Sequence, residues 1–152
     1  MGLDLMLYTK TKEQSFDDYK GWEELAYGRK TWAISDFFTE HCNCEPIDKE
    51  SELYRVSEED WSYFIEVVEF YFIKPEVVGI IEKYLNDEYF VEDEFEEDEE
   101  KLRKILDTAL FGDIYYLGIF WEAAAVLNWY RADGKVREAF KKGQDVFLER
   151  SY

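Results

Sequence analysis

A mainly helical α+β fold, in a single domain over residues 1–152, is predicted by three observations. The two ends of the chain alternate apolar and polar residues as strands do, whereas most of the middle carries apolar residues at helical spacing. Gly and Pro are scarce, at 8 and 2 of 152 residues, so tight turns are few. The apolar content of 47%, with 12 Tyr, 12 Phe and 5 Trp, is enough to bury a core and is unlike that of a disordered chain. Five or six helices are expected. A small antiparallel or mixed sheet should combine the first strand, the Leu53 region and the C-terminal strand.

In order along the chain, Leu3, Leu5 and Leu7 alternate with Asp4, Met6 and Tyr8, which predicts a first strand over residues 2–8. Residues 9–20 are polar and read as a loop. Residues 22–40 show helical spacing: Trp22, Leu25, Ala26, Ala33 and Phe37 share one side, and Tyr27, Ile34 and Phe38 form a second apolar line. A helix with two such lines is expected to be central to the core. Residues 41–50 read as a loop and 53–56 as a short strand. Ser57, three residues before Asp60, is an N-cap signature. The helix it opens carries Trp61, Phe64, Ile65, Val68 and Phe72 inward. Lys74-Pro75 breaks that helix, and Pro75 suits the first turn of the next. There Val78, Ile81 and Leu85 are expected to share a face.

Residues 87–100 hold ten acids (Asp87, Glu88, Glu92, Asp93, Glu94, Glu96, Glu97, Asp98, Glu99 and Glu100) and no base. They read as an acidic connector whose end begins a helix, because acids suit the positive end of the helix dipole. Leu102, Ile105, Leu106 and Ala109 supply that helix's inner face. Gly112-Asp113 punctuates. The run 114–130 is the most apolar, and Glu122 near its middle argues for a buried core helix over a membrane span. Asp133-Gly134 is a turn signal, Val136 and Phe140 mark a last helix ended at Lys142-Gly143, and Val146 and Leu148 open a closing strand.

The charge balance, 36 acids against 18 bases for a net −18, disfavours nonspecific binding to DNA, RNA or anionic membrane, whose phosphates would be repelled. It favours a basic partner, or else serves solubility. Cys42 and Cys44 are too close for an unstrained bridge, which points away from a disulfide framework. No secretory leader pattern opens the chain, so a cytoplasmic location is expected.

The opening Met1-Gly2-Leu3-Asp4-Leu5-Met6-Leu7 resembles a group of small phage and bacterial proteins that begin MGLDMYL. In those proteins a first strand is followed by a helix of the pattern E-(L/V)-A/G-Y-W-R-K-A-N-x-I-H-x-W-F. Here the matching stretch runs Glu24-Leu25-Ala26-Tyr27-Gly28-Arg29-Lys30-Thr31-Trp32-Ala33-Ile34-Ser35-Asp36-Phe37-Phe38. The Cys-containing loop, the short strand at 53–56 and the Val56-Ser57 helix start are similar too. The resemblance covers residues 1–73. It departs at Gly28 and Ser35, where the group has tryptophan and histidine, and again over 74–142, where the acidic stretch replaces a Gly/Phe-rich hairpin. It implies a phage or prophage origin and a host-cell setting, and it carries no activity.

Several clusters could carry chemistry. The acids Glu92, Asp93, Glu94, Glu96, Glu97, Asp98, Glu99 and Glu100, with Phe95, form either a solvated helix start or a surface for a basic partner. Calcium fits them poorly, because the spaced acids and glycine of an EF-hand are missing. His41, Cys42 and Cys44 fall short of a zinc tetrad. Arg29 and Lys30 are expected to pair with this chain's own acids or to stack on Tyr27 or Trp32. Glu122, and Asn128 similarly, should be buried against an Arg or Tyr, with an acid/base role near Arg29 and Tyr27 as the alternative. No nucleophile elbow, P-loop, dinucleotide motif or metal tetrad is present, so no enzyme, cofactor or metal is expected. The leading expectation is a phage-encoded protein that inhibits a basic host protein, with anti-CRISPR-like DNA mimicry as one form. The partner would be a nucleic-acid-binding defence enzyme rather than nucleic acid or membrane. The alternatives are an accessory structural domain whose acidity serves solubility, and a small enzyme with a site near Glu122.

Overall fold

The computed structural model describes residues 3–15, 22–47, 52–88, 90–108 and 118–151. Ala109, Gly112-Asp113, residues 114–117, Tyr89 and the acids Asp17 and Asp18 lie outside the described residues.

Four antiparallel strands form one sheet in the order β2-β1-β4-β3, with β1 Asp4–Lys10, β2 Glu23–Gly28, β3 Leu53–Arg55 and β4 Asp145–Ser151. The two ends of the chain meet at its centre. Asp4 pairs with Ser151, Leu7 with Leu148 and Lys10 with Asp145. Alternation gives each strand two faces. Leu3, Leu5, Leu7, Val146 and Leu148 join the main core, while Phe147 looks the other way. There it stacks on Trp22 at 5.6 Å beside Tyr8 and Leu53, so β4 is buried on both sides. The strands expected at the chain ends and at Leu53 are therefore present and joined as expected.

The single helix expected over residues 22–40 is corrected. Residues 23–28 form edge strand β2, paired with β1 through Leu5–Gly28 and Leu7–Ala26. The register shifts between Leu7 and Tyr8, which face Ala26 and Glu24, so Leu25 is the extra residue of a β-bulge. A bulge puts buried residues three apart, at Leu25 and Gly28, and so imitates helical spacing. Trp22 belongs to the small cluster on the opposite face of the sheet. Gly28 lies close against the helix described below as α5. A Cβ there would stand 2.9 Å from Thr31 Cγ2 and 3.1 Å from Ala125 Cβ, so only glycine fits without a shift. The helix begins later, as α1 Ala33–Asp36 continuing into a π turn Phe37–His41.

Helix α2, Glu58–Tyr71, starts as expected, with Asp60 N–H donating to Ser57 Oγ at 3.1 Å. Trp61, Phe64, Ile65, Val68 and Phe72 are buried. Lys74 is extended and Pro75 opens α3, Pro75–Asn86. Its inner face is Val77 and Ile81, one turn apart, rather than Val78, Ile81 and Leu85. Leu85 is half exposed. A 3-10 turn, Glu92–Phe95, leads into α4, Glu96–Thr108, which buries Leu102 and Leu106.

The helix at the centre of the core is α5, Ile119–Arg131. It buries Ile119, Phe120, residues 122–127 and Trp129. No helix among the described residues is long and apolar enough to cross a membrane. Asp133 and Gly134 do not form a turn but begin α6, Asp133–Lys141. Its end is closed by Gly143 at φ 73°, with Gln144 N–H donating to Ala139 O and Gly143 N–H to Phe140 O, a Schellman arrangement.

Candidate functional site

Residues 92–108 form a short turn and a helix held down by apolar anchors. Phe95 points inward, stacking on Phe90 at 4.8 Å and meeting Phe120 edge-on, with Lys83 Nζ 4.5 Å above its ring. It anchors the segment to the protein and offers no exposed ring to a partner. Leu102 and Leu106 continue the buried line. Two of the acids are engaged: Asp98 lies 3.7 Å from Lys83, and Glu99 2.7 Å from Arg103 one turn on. Lys101 bonds Glu76 at 3.0 Å, a second tie to α3. Such half-exposed pairs contribute at most about 1 kcal/mol each, so Phe95 and the leucines do most of the anchoring. Asp93, Glu94, Glu96, Glu97 and Glu100 face solvent. None of these five has a cation within ion-pair distance among the described residues. Glu92 lies in the 3-10 turn. Glu96 and Glu100 are one turn apart, and Glu97 and Glu100 are three residues apart, so the free carboxylates form an outward ridge.

Glu122 has a different environment. It is only 2% exposed, and its partners are neither Arg nor Tyr as expected. Thr31 Oγ1–H donates to Oε2 at 2.7 Å, Ala33 N–H to the same oxygen at 3.0 Å, and Trp32 N–H to Oε1 at 2.7 Å. The carboxylate thus caps the start of α1 from across the core, supplying acceptors for N–H groups that have none within the helix. Burial raises its pKa above the ordinary value, and the three donors oppose that rise. With both oxygens occupied and almost no solvent contact, its geometry is that of a structural cap. Asn128, expected to behave similarly, is exposed.

The basic pair Arg29-Lys30 lies on the turn between β2 and α1, not on a helix. Lys30 adopts φ 52°, its N–H bonds Asp4 Oδ1 at 3.0 Å, and Tyr27 OH bonds Asp4 Oδ2 at 2.9 Å. The two cations stack on neither Tyr27 nor Trp32. They sit over Trp121, with Arg29 Cζ at 5.1 Å and Lys30 Nζ at 5.6 Å from its ring.

His41 and Cys44 are drawn to separate partners. His41 Nε2 meets Tyr63 OH at 3.2 Å, and Cys44 Sγ donates to Asp60 Oδ2 at 3.5 Å. Burial, with Asp60 nearby, pushes both thiols up to about 12, so neither is a ready thiolate. Among the described residues no group of His, Cys, Asp and Glu is placed to hold a metal ion.

Residue patterns did not reveal a cleft of about 710 Å³ beside the acidic segment. Tyr84, Phe90, Phe120 and Trp121 form its aromatic wall, with Lys30 at one side and Asp87 and Glu88 at another. The lining comes from three separate stretches of chain, so no local motif could have shown it. Of its lining, the sequence points out Lys30, as half of the basic pair, and Asp87 and Glu88, as part of the acidic stretch.

Comparison with family models, curated proteins and solved structures finds no match to this chain.

Proposed function

We propose that this protein binds a basic protein through the carboxylates of residues 92–100, occupying a groove that would otherwise receive nucleic acid. The observation that carries the reading is the ridge of Asp93, Glu94, Glu96, Glu97 and Glu100. These acids are exposed, without cation partners among the described residues, and mounted on a segment anchored by Phe95 and Leu102. A ridge of fixed negative charge meets the electrostatic requirement for docking on a nucleic-acid-binding surface. Phe95 has no part in contact; its role is to hold the ridge. The resemblance of residues 1–73 to phage proteins suits a phage-encoded inhibitor of a host defence enzyme, with an anti-CRISPR-like role as one instance. A second reading, acidity for solubility alone, is favoured by the position of Glu96, Glu97, Asp98 and Glu99 in the first turn of α4, where the helix dipole gives acids a local reason to be.

The test begins with a partner recovered from bacterial lysate at low salt and then purified. Its affinity is measured for wild type and for Glu96→Gln/Glu97→Gln/Glu100→Gln at two ionic strengths. The proposal predicts affinity that falls steeply with salt and at least tenfold in the variant. Affinity independent of salt, or equal in the variant, would overturn it in favour of the second reading.

A further inference from the structure

We propose that the cleft between the Arg29-Lys30 turn and the Tyr84–Phe90 cluster binds a small ligand with an aromatic body and a single anionic group. Its volume, about 710 Å³, falls within the range of small-molecule sites. Tyr84, Phe90 and Phe120 already pack edge-to-face and stacked on one another, at 4.5 to 5.1 Å. They give the cleft an aromatic wall that suits a planar ring.

The anionic group is assigned from Arg29 and Lys30. This chain has twice as many acids as bases, and nine of its described cations, Lys83 and Arg103 among them, stand in ion pairs. Arg29 and Lys30 are exposed and have no carboxylate within ion-pair distance among the described residues. They are held over the Trp121 ring instead, and Trp121 lines the cleft. The turn that presents them is fixed from two sides. Asp4 bonds the Lys30 N–H and Glu122 bonds Thr31, Trp32 and Ala33, and between them Lys30 is kept in the left-handed region that a non-glycine residue seldom adopts. Strain of that kind persists where the surroundings over-determine a conformation, and here it falls on a cation at the edge of a cleft.

Asp87 and Glu88 on the other wall set the charge of the ligand. They repel a second anionic group and accept hydrogen bonds from N–H or O–H groups on the ring. A monoanion with a donor-bearing aromatic body satisfies both walls, whereas a polyphosphate does not.

The probe for the test is 8-anilinonaphthalene-1-sulfonate, an aromatic monoanion with an N–H donor. N-phenyl-1-naphthylamine is its counterpart without the sulfonate. Fluorescence titrations compare wild type with Arg29→Gln/Lys30→Asn, in which Asn tolerates the left-handed backbone. A second variant, Leu85→Trp, places a bulky ring at a half-exposed lining residue. Near-ultraviolet circular dichroism confirms native packing in each, so that the signal does not come from a loosened core. Wild type is expected to bind the sulfonate saturably, one per chain. The double variant should weaken it about tenfold while the neutral probe is unchanged, and Leu85→Trp should weaken both. Absence of saturable binding, equal sulfonate affinity in the double variant, or loss of the neutral probe to the same degree would each overturn the assignment.

Discussion

Five carboxylates between Asp93 and Glu100 face solvent with no cation in ion-pair distance among the described residues, while Glu122, a lone acid in an apolar helix, receives three hydrogen bonds and almost no water. The two regions differ in what their charge does for the chain. Removing an exposed acid from α4 leaves water where water already was. Removing Glu122 leaves two backbone N–H groups and a hydroxyl buried without acceptors, and each such loss costs about 1–3 kcal/mol. The density of acids along a sequence therefore says little about which acid holds the fold. Solvent-exposed charge remains free for an encounter, and buried charge is consumed internally.

The largest effect that would test this contrast is at Glu122. Glu122→Ala is expected to destabilise by about 3 kcal/mol or more. That lowers Tm by roughly 6–12 °C for a chain of this size, which calorimetry reads directly. A loss below about 1 kcal/mol would break the contrast.

Next is Phe95, the residue that ties the acidic ridge to the core. Phe95→Ala removes a ring packed on Phe90 and Phe120 and is expected to cost about 3 kcal/mol in urea unfolding. It should also loosen residues 92–100 and so weaken any charge-dependent partner, although no ring contact with that partner is lost.

A smaller effect concerns the pH dependence of the Glu122 cap. Burial raises the pKa of Glu122, so the folded state binds its proton more tightly than the unfolded state does. Its contribution is fully present below the ordinary carboxyl value of 4.5 and is lost as pH rises through the raised folded value. Glu122→Gln cannot titrate. The stability difference between wild type and this variant is therefore expected to shrink as pH rises through that window. Other acids titrate alike in both proteins and cancel. A difference that grows with pH would mean that the three donors outweigh burial.

The smallest effect belongs to the ridge. Glu96→Gln/Glu97→Gln/Glu100→Gln is expected to change stability by less than about 1 kcal/mol, because lost dipole contacts and relieved like-charge repulsion oppose each other. A large destabilisation would mean that the ridge serves the fold.

The legibility of these features in the sequence follows from how local their causes are. Ser57, Pro75 and the Lys142-Gly143 end act within a turn of chain, and each was readable. The alternating leucines of β1 likewise announced a strand, and the sheet of β1, β3 and β4 followed from alternation at Leu53 and Val146. Edge strand β2 was misread as helix because the bulge at Leu25 broke the period of two. The partners of Glu122 were missed because they are chiefly backbone N–H groups at Trp32 and Ala33, which no residue type signals. The acids of α4 were plain in the sequence, but the inward direction of Phe95 depends on Phe90 and Phe120 and could not be read from neighbouring residues. The cleft depends on three distant stretches meeting, which is a property of the fold alone.

Amide hydrogen exchange at Trp32 and Ala33 tests most directly the claim that Glu122 fastens α1 to α5. In wild type both amides are expected to exchange only on global unfolding, at the rate of core amides in α5. In Glu122→Ala they should exchange much faster while amides in the second turn of α4 keep their protection. Fast exchange of Trp32 and Ala33 in wild type, or unchanged protection in the variant, would contradict the account.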